Sequence, residues 1–248
     1  MKTFRWLSLV VVISGVLAIV FIRPAKTSFS LADFSFLPDF DSSSIVNHKY
    51  YSLSYNEESE QPDWVAYTIL PERLESLVDR PGYFRVDTLV LSGSANQKDY
   101  AKSGYDRGHL VPAADMQFDS LAIRETFFYS NISPQLPGFN RGVWKRLEEY
   151  TRKRSVEYDS LIVISGPVIR PSAESIGENE VLIPASFYKL LIQFYGNNVS
   201  VTSYLIPHTS SKSDLSEFIV SVDSIEVLTG LDFLYNLPDK LENKLERR

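Results

Sequence analysis

"SGYDRGHLVPAADM", residues 103–116, contains one of only three histidines in a chain of 248 residues. His109 follows an Asp-Arg-Gly tripeptide and precedes an apolar run. Histidine exchanges protons near neutral pH, and an adjacent arginine disfavours its charged form, so Arg107 favours a neutral imidazole that can act as a base. The planar donors of Arg107 also suit phosphate, and Gly108 permits close approach of a bulky substrate. These residues alone leave a catalytic and a structural histidine equally open.

A second stretch, "NISPQLPGFNRGVWKRLEEY" (residues 131–150), combines oxygen ligands with a helical pattern. Glu148 follows Asn140 by eight residues, which is about 80° around a helix axis, so both side chains can face one side. An amide oxygen is a suitable ligand for Mg²⁺, and a carboxylate further along can hold one of the waters that the ion retains. The alternative is an ordinary helix cap at Asn140 and a solvated Glu148.

Other common catalytic patterns are absent from the sequence. There is no cysteine, which excludes disulfides, thiolate metal sites and cysteine nucleophiles. There is also no G-x-S-x-G, Walker, G-x-G-x-x-G or H-E-x-x-H motif,. His48 and His208 have no arginine, asparagine or carboxylate arranged around them. We predict that these two are surface or structural histidines.

The charge distribution restricts how an anionic substrate could bind. A formal charge of −6 excludes a uniformly basic nucleic-acid binder, so a local patch is required. Residues 101–154 hold nine Lys/Arg against six Asp/Glu, which places positive charge around both stretches. The basic side chains of the predicted helix could contact a nucleic-acid backbone or form a solvated face. They are Lys145, Arg146, Arg152, Lys153 and Arg154.

The N-terminal segment predicts export. An uncharged, mostly apolar run, residues 6–22, has basic residues on both sides, as in a signal peptide or signal anchor. We therefore expect an anchor or signal peptide over 1–26, a tether over 27–47 with phenylalanines that could dock on the domain or at a membrane, and one domain over 48–248. The expected location is the cell envelope, with the domain membrane-anchored, secreted or periplasmic.

The remaining patterns favour an α+β fold. Strand-like runs come in groups with helical segments between and after them, which argues against strict βαβ alternation. The predicted strands cover 50–56, 63–70, 84–92, 160–169, 186–196 and 198–207. The clearest helix covers 140–154, a capped segment covers 213–230, and a charged helix ends the chain.

Three of these motifs together resemble a known family. "YDRGHLVPAADM", "SNISPQ" and "FNRGVWKRLE" are similar to the DNA/RNA non-specific endonucleases, which are ββα-metal nucleases. Softer similarity extends over residues 48–246. The resemblance implies a central, mostly antiparallel sheet with flanking helices and a ββα-metal finger that holds the active site. Disulfides occur in the family, but this chain cannot form them.

The resemblance also implies residue roles. His109 would be the general base that deprotonates water, and Asn140 the single direct protein ligand of Mg²⁺, with Mn²⁺ as a substitute. Glu148 would orient the water shell of the metal, and Arg107 and Asn131 would steady the phosphate and the active-site network. The implied partners are DNA and RNA as substrates, a membrane through the N-terminal segment, and a second copy of the chain in a homodimer.

Two alternatives remain open at this stage. One is a catalytically silent, envelope-anchored module that binds nucleic acid. The other is a phosphodiesterase for another substrate, such as a lipid or a cyclic nucleotide. The first would retain DNA without cleaving it, and the second would cleave a small diester instead.

Overall fold

A computed structural model describes residues 36–39, 44–196 and 198–247. Its centre is a seven-stranded sheet with the order β1-β2-β3-β6-β9-β10-β11, in which all neighbours are antiparallel. The strands of this sheet are β1 (Ile45–Asn47), β2 (Tyr51–Asn56), β3 (Gln61–Ile69), β6 (Ser160–Val168), β9 (Ser186–Tyr195), β10 (Asn198–Pro207) and β11 (Ile219–Val220). The predicted α+β class with a central antiparallel sheet is therefore confirmed.

Two small ribbons and five α-helices accompany this sheet in the described chain, together with short helical turns. The ribbons pair β4 (Asp106–His109) with β5 (Ile132–Gln135), and β7 (Ser175–Ile176) with β8 (Val181–Leu182). The helices are α1 (Gln97–Tyr100), α2 (Ser120–Glu125), α3 (Lys145–Ser155), α4 (Val222–Thr229) and α5 (Asp239–Glu246).

The central sheet is covered on both faces. Successive side chains of a strand point to opposite faces, and Val65, Val163 and Leu191 pack in one core while Ala66, Ile164 and Leu190 pack in a second. The first core includes Trp144 and Leu147 from the α3 region. The second includes Val222 and Ile225 of α4 and Leu245 of α5. Helix α3 therefore lies on one face of the sheet, and helices α4 and α5 lie on the other.

The ribbon β4–β5 and helix α3 form the predicted ββα unit. His109 is paired with Ile132 and Gly108 with Ser133 in the ribbon. A wider helical turn, Phe139–Trp144, leads into α3 and is interrupted at Gly142, whose φ of −108° and ψ of −109° are not helical. The helix predicted for 140–154 thus begins at Lys145, and Asn140 lies before the interruption.

Two other predicted elements differ from the structure. Residues 84–92 form no strand, and only an isolated bridge joins Arg85 to Phe128. Asp87 explains the difference, because its buried carboxylate accepts hydrogen bonds from His48 and Ser130 and draws this segment away from a ladder. The capped segment 213–230 divides into a short turn, strand β11 and helix α4, since Ser221 caps α4 separately.

The predicted N-terminal anchor or signal peptide, residues 1–26, lies outside the described residues, as does most of the predicted tether. The last part of the tether is described, and Ile45–Asn47 form strand β1 within it. Phe36 and Leu37 pack against the core beside α4 and α5. Within 36–39, 44–196 and 198–247, no helix has the length and apolar character that a membrane crossing requires.

Candidate active site

His109 ends strand β4, and the first turn of the α3 region holds its backbone. The indole Nε1 of Trp144 donates a hydrogen bond to the carbonyl oxygen of His109 over 3.3 Å. The ring nitrogen Nε2 is buried and has no hydrogen-bond partner among the described residues. The other ring nitrogen, Nδ1, is therefore the one that can meet water in the adjoining pocket.

The surroundings of His109 keep its ring neutral. The rings of Phe127 and Phe84 lie 4.8 Å and 5.4 Å from it, centroid to centroid. Burial lowers the pKa of His109 to about 3, and the positive charge of Arg80 acts in the same direction. Sequence reasoning gave this effect to Arg107, but Arg80 is the arginine that lowers the pKa. The ring is therefore neutral near pH 7, which is the state in which an imidazole nitrogen can accept a proton.

Arg107 contributes to the rim of the same pocket. Its Nε donates to the hydroxyl of Tyr129 over 3.2 Å, and its guanidinium lies 5.4 Å from the ring centroid of Phe84. These two contacts orient the guanidinium and leave its terminal nitrogens without a hydrogen bond in the described part of the chain. Arg107 can therefore present its paired donors to a phosphate.

Asn140 is oriented by the first residue of the Asp-Arg-Gly-His motif. Its Nδ2 donates to Oδ2 of Asp106 over 3.0 Å. Arg141 binds both oxygens of the same carboxylate, with distances of 2.8 Å and 2.6 Å. Because an ionised carboxylate only accepts hydrogen bonds, it fixes the amide with Nδ2 inward and Oδ1 toward the pocket that Asn140 lines,. Asp106 was not among the predicted site residues.

Glu148 lines the pocket from helix α3, beside a buried lysine. Burial raises the pKa of Glu148, and the positive charge of Lys189 opposes that rise. Lys189 is completely buried, and its Nζ lies 4.7 Å from the ring centroid of Trp144 without a hydrogen-bond partner among the described residues. Burial in turn lowers the pKa of Lys189. Lys189 is thus a buried neighbour of Glu148 that the sequence analysis missed, and its charged form favours the ionised carboxylate of Glu148.

Asn131 does not line the pocket, although it was predicted to steady the phosphate. It is completely buried. Its Oδ1 accepts from the amide of Val111, and its Nδ2 donates to the carbonyl oxygens of Val111 and Thr126. With no exposed polar atom, Asn131 cannot contact a substrate in this arrangement. It instead fixes the segment that follows His109, so we correct the substrate-binding prediction.

Gly108 also serves the interior rather than a substrate. A Cβ atom at this position would lie 2.2 Å from the Cδ of Gln135. Gln135 is the last residue of strand β5 and is completely buried. The absence of a side chain at Gly108 therefore allows the two strands of the ribbon to pack, and the predicted role in substrate approach is replaced by this one.

His109, Asn140 and Glu148 line a pocket of 620 Å³. Its polar lining side chains are Arg80, Arg107, His109, Asn140, Arg141, Lys145, Glu148 and Arg152. Five of these are arginine or lysine and one is acidic, and Arg80 and Arg107 are the two cations without an ion pair among the described residues, so they make the pocket a local basic patch in an acidic protein. Arg152 is paired with the buried Asp115, which also accepts a hydrogen bond from Tyr67. Arg80 carried no motif signal, because it lies in an irregular segment far from β4 in sequence.

The other two histidines are structural, as predicted. His48 Nε2 lies 3.0 Å from the carboxylate of Asp87. His208 Nδ1 donates to the carbonyl oxygen of Pro184, and its Nε2 accepts from the amide of Leu136 over 2.7 Å. Both rings have polar partners in the interior, and neither lines the pocket.

The ββα unit, with His109 and Asn140 facing one basic pocket, defines a class of protein. The protein is a metal-dependent nuclease of the ββα type, an enzyme that hydrolyses phosphodiester bonds in nucleic acid. The chain belongs to the DNA/RNA non-specific endonuclease family, whose model matches residues 35–240.

Named relatives agree with this assignment. The chain is 34% identical over 202 residues to human "Endonuclease G, mitochondrial", covering 75% of this chain and 68% of that protein. It is 30% identical over 225 residues to the "Mitochondrial nuclease" of Saccharomyces cerevisiae, covering 81% and 68%. A chain in the crystal structure of the EndoG/EndoGI complex superposes with a TM-score of 0.77 and 30% identity, covering 83% of this chain and 91% of that one.

The relatives overturn one prediction. They are named as mitochondrial nucleases, so the predicted location in a cell envelope is wrong. The predicted membrane partner and signal anchor also find no support. The apolar run that suggested them lies at residues 6–22, outside the described residues.

Proposed function

We propose that the protein is a Mg²⁺-dependent, sugar-non-specific endonuclease that hydrolyses phosphodiester bonds in both DNA and RNA. The observation that carries this proposal is that His109 and Asn140 line the same basic pocket. His109 supplies a neutral base, and Asn140 supplies an oriented amide oxygen. The family membership supports the same substrate class.

His109 is the general base in this proposal. The neutral ring accepts a proton at Nδ1 from a water molecule as that water attacks phosphorus. The P–O3′ bond breaks, the leaving O3′ takes a proton from water, and the products carry 5′-phosphate and 3′-hydroxyl ends. Phe84 and Phe127 limit the water around the ring, and Arg80 disfavours its protonation before the attack.

The donor set in the pocket fits a hard divalent cation. Asn140 Oδ1 and the Glu148 carboxylate have no hydrogen bond to any other described residue and line one pocket. Neutral and anionic oxygens are the ligands that Mg²⁺ and Mn²⁺ take. We therefore assign direct binding to Asn140 and binding through water to Glu148. A bound divalent cation would stabilise negative charge as it develops on the phosphate and the leaving oxygen.

The basic lining determines the substrate class. Arg107 presents paired donors to phosphate, while Arg80 adds positive charge that acts on His109 in the same pocket. Contacts to the phosphate backbone carry no sequence information, which explains why both polymers and any base sequence would be accepted. A homodimer stays a prediction, and light scattering of the purified chain tests it.

Cleavage of plasmid DNA and of RNA, in Mg²⁺ and in EDTA, tests the proposal. We expect cleavage of both polymers in Mg²⁺ and none in EDTA. His109→Ala should lower the rate by about 10²–10⁴, because the base is lost. Asn140→Ala should move the Mg²⁺ titration to higher concentration, whereas the exposed Asn198→Ala should leave it unchanged.

If His109→Ala cleaves at the parent rate, His109 is not the general base. If Asn140→Ala and the parent have identical Mg²⁺ titration curves, Asn140 is not the metal ligand. Binding of DNA without cleavage would support a silent module instead. Cleavage of a small phosphodiester, but of neither polymer, would contradict the substrate assignment while leaving the chemistry intact.

A further inference from the structure

Helices α4 and α5 bring five carboxylates together on the face of the sheet opposite the nuclease pocket. They belong to Asp223, Glu226, Asp232, Glu242 and Glu246. Oxygens of Asp223, Glu226 and Glu246 lie within 4.8 Å of one another, and so do oxygens of Asp232, Glu242 and Glu246. Glu246 belongs to both sets and is therefore the centre of the cluster.

Glu246 is the unusual member of this cluster. It is only 8% exposed, whereas glutamate is almost never buried unless it is paired. Its Oε1 is buried without a hydrogen-bond partner among residues 36–39, 44–196 and 198–247. Burial of a carboxylate oxygen without a hydrogen bond costs folding free energy. The carboxylate of Glu246 also lies close to the four other carboxylates of the cluster.

No positive side chain compensates the cluster in the described part of the chain. None of the ion pairs there includes any of the five carboxylates. The charges that act on Glu246 are those of other carboxylates, which together with burial raise its pKa to about 7. Within the helices, Asp223 and Glu226 are three residues apart, and Glu242 and Glu246 are four apart. Like charges at these spacings destabilise a helix.

Packing holds the carboxylates in place despite their repulsion. Val222 and Ile225 of α4 and Leu245 of α5 are buried in the same core. Glu226 is fixed further, because its Oε1 accepts a hydrogen bond from the amide of Phe233 over 2.8 Å. Docking of α5 on this core therefore keeps the helix positions that carry the carboxylates close together.

We propose that this cluster is a Ca²⁺ site centred on Glu246, which fastens helix α5 to helix α4. Calcium takes about six to eight oxygen ligands in a flexible geometry, and carboxylates are prominent among them. Each of the two sets places three carboxylate oxygens close enough to share one ion. Magnesium requires near-octahedral geometry and is usually bound through only one or two carboxylates. The site is separate from the nuclease pocket and does not depend on its assigned reaction.

Calcium titration of the full chain by calorimetry, in the Asn140→Ala background, tests the proposal. That background weakens the assigned cation site of the nuclease pocket. We expect one saturable Ca²⁺ event with a Kd between about 10⁻⁵ and 10⁻³ M, and much weaker binding of Mg²⁺. At 100-fold excess over Kd, Ca²⁺ should raise the Tm by about 5–10 °C.

Glu246→Gln and the matched control Glu75→Gln complete the test. Glu246→Gln keeps the shape of the side chain and removes one repelling charge, so it should fold without Ca²⁺ yet lose the binding event and the Tm gain. The exposed Glu75→Gln should retain both. Absence of Ca²⁺ binding in the Asn140→Ala chain would overturn the proposal. Equal Ca²⁺ responses of Glu246→Gln and Glu75→Gln would also overturn it. Asp232→Asn, at an exposed connection between the helices, should weaken binding if Glu246→Gln does not fold.

Discussion

Lowering the pH from 8 to 5 should leave His109 uncharged. Burial and Arg80 lower its pKa to about 3, from an ordinary 6.5. At pH 5 about 99% of the His109 rings should then be neutral, whereas an ordinary histidine would be about 3% neutral. Titration by NMR of histidine-labelled protein measures this directly, and His109→Asn identifies the resonance. A resonance that titrates between pH 6 and 7 and is missing from His109→Asn would refute the reasoning.

The same shift should appear in the stability of the fold. Between pH 3 and 6.5 the unfolded chain binds a proton at His109 that the folded chain does not. The free energy of unfolding therefore decreases as the pH falls through this window, and the stabilisation is complete above pH 6.5. At pH 5 the loss from this one group is about 2 kcal/mol relative to neutral pH.

Urea unfolding of the parent and of His109→Asn, at pH 7.5 and at pH 5, isolates this contribution. The carboxylates titrate equally in both proteins, so they cancel in the comparison. The parent should lose about 2 kcal/mol more than the variant between these two pH values. Equal losses would mean that His109 is protonated in the fold.

Three further substitutions test the roles assigned to buried residues. Asn131→Ala should lower the free energy of unfolding, measured by urea titration, by at least about 3 kcal/mol, because it leaves three backbone groups without a hydrogen bond,. The KM for DNA should stay near the parent value. Gly108→Ala should cost about 1–3 kcal/mol of stability because its Cβ would overlap Gln135, and equal thermal melting would contradict that packing,. Lys189→Met should raise the pKa of Glu148 further, because the positive charge beside it is lost. The acidic limb of the rate–pH profile should then move to higher pH, and the cleavage rate should fall about 10–100-fold.

The candidate site residues could be picked out from the sequence because they lie in short motifs, and the resemblance to a known family supplied their expected roles. His109, Asn140 and Glu148 fall within one ββα unit, and they line one pocket. The partners that modify them come from elsewhere. Arg80 lies in an irregular segment, and Lys189 lies in strand β9, where its alternation with apolar neighbours resembles a solvent-facing position. Only the three-dimensional packing shows that Arg80 faces the pocket and that Lys189 is buried beside Glu148.

Predictions failed where a buried polar group changed a local preference. Residues 84–92 have the apolar alternation of a strand, yet Asp87 is bonded to His48 and Ser130, and the alternation has no sheet edge to join. The 140–154 pattern is helical in period, but Gly142 interrupts the backbone between Asn140 and Glu148. The helical period therefore predicted that Asn140 and Glu148 lie on one side of a helix. The two residues are not joined by a continuous helix.

The acidic net charge and the basic pocket are compatible because the sheet separates them. The five carboxylates around Glu246 lie on the α4–α5 face, while the basic pocket is built on the α3 face. Layers packed on a sheet stand about 10 Å from it on each side, so the two regions are farther apart than the Debye length of about 8 Å at physiological ionic strength. Repulsion of a polynucleotide by the acidic face is then screened at the pocket, where Arg80 and Arg107 form no ion pair with the described residues and supply positive charge for phosphate. The acidic net charge consequently limits substrate binding by this nuclease to the basic pocket. It does not oppose binding at that pocket.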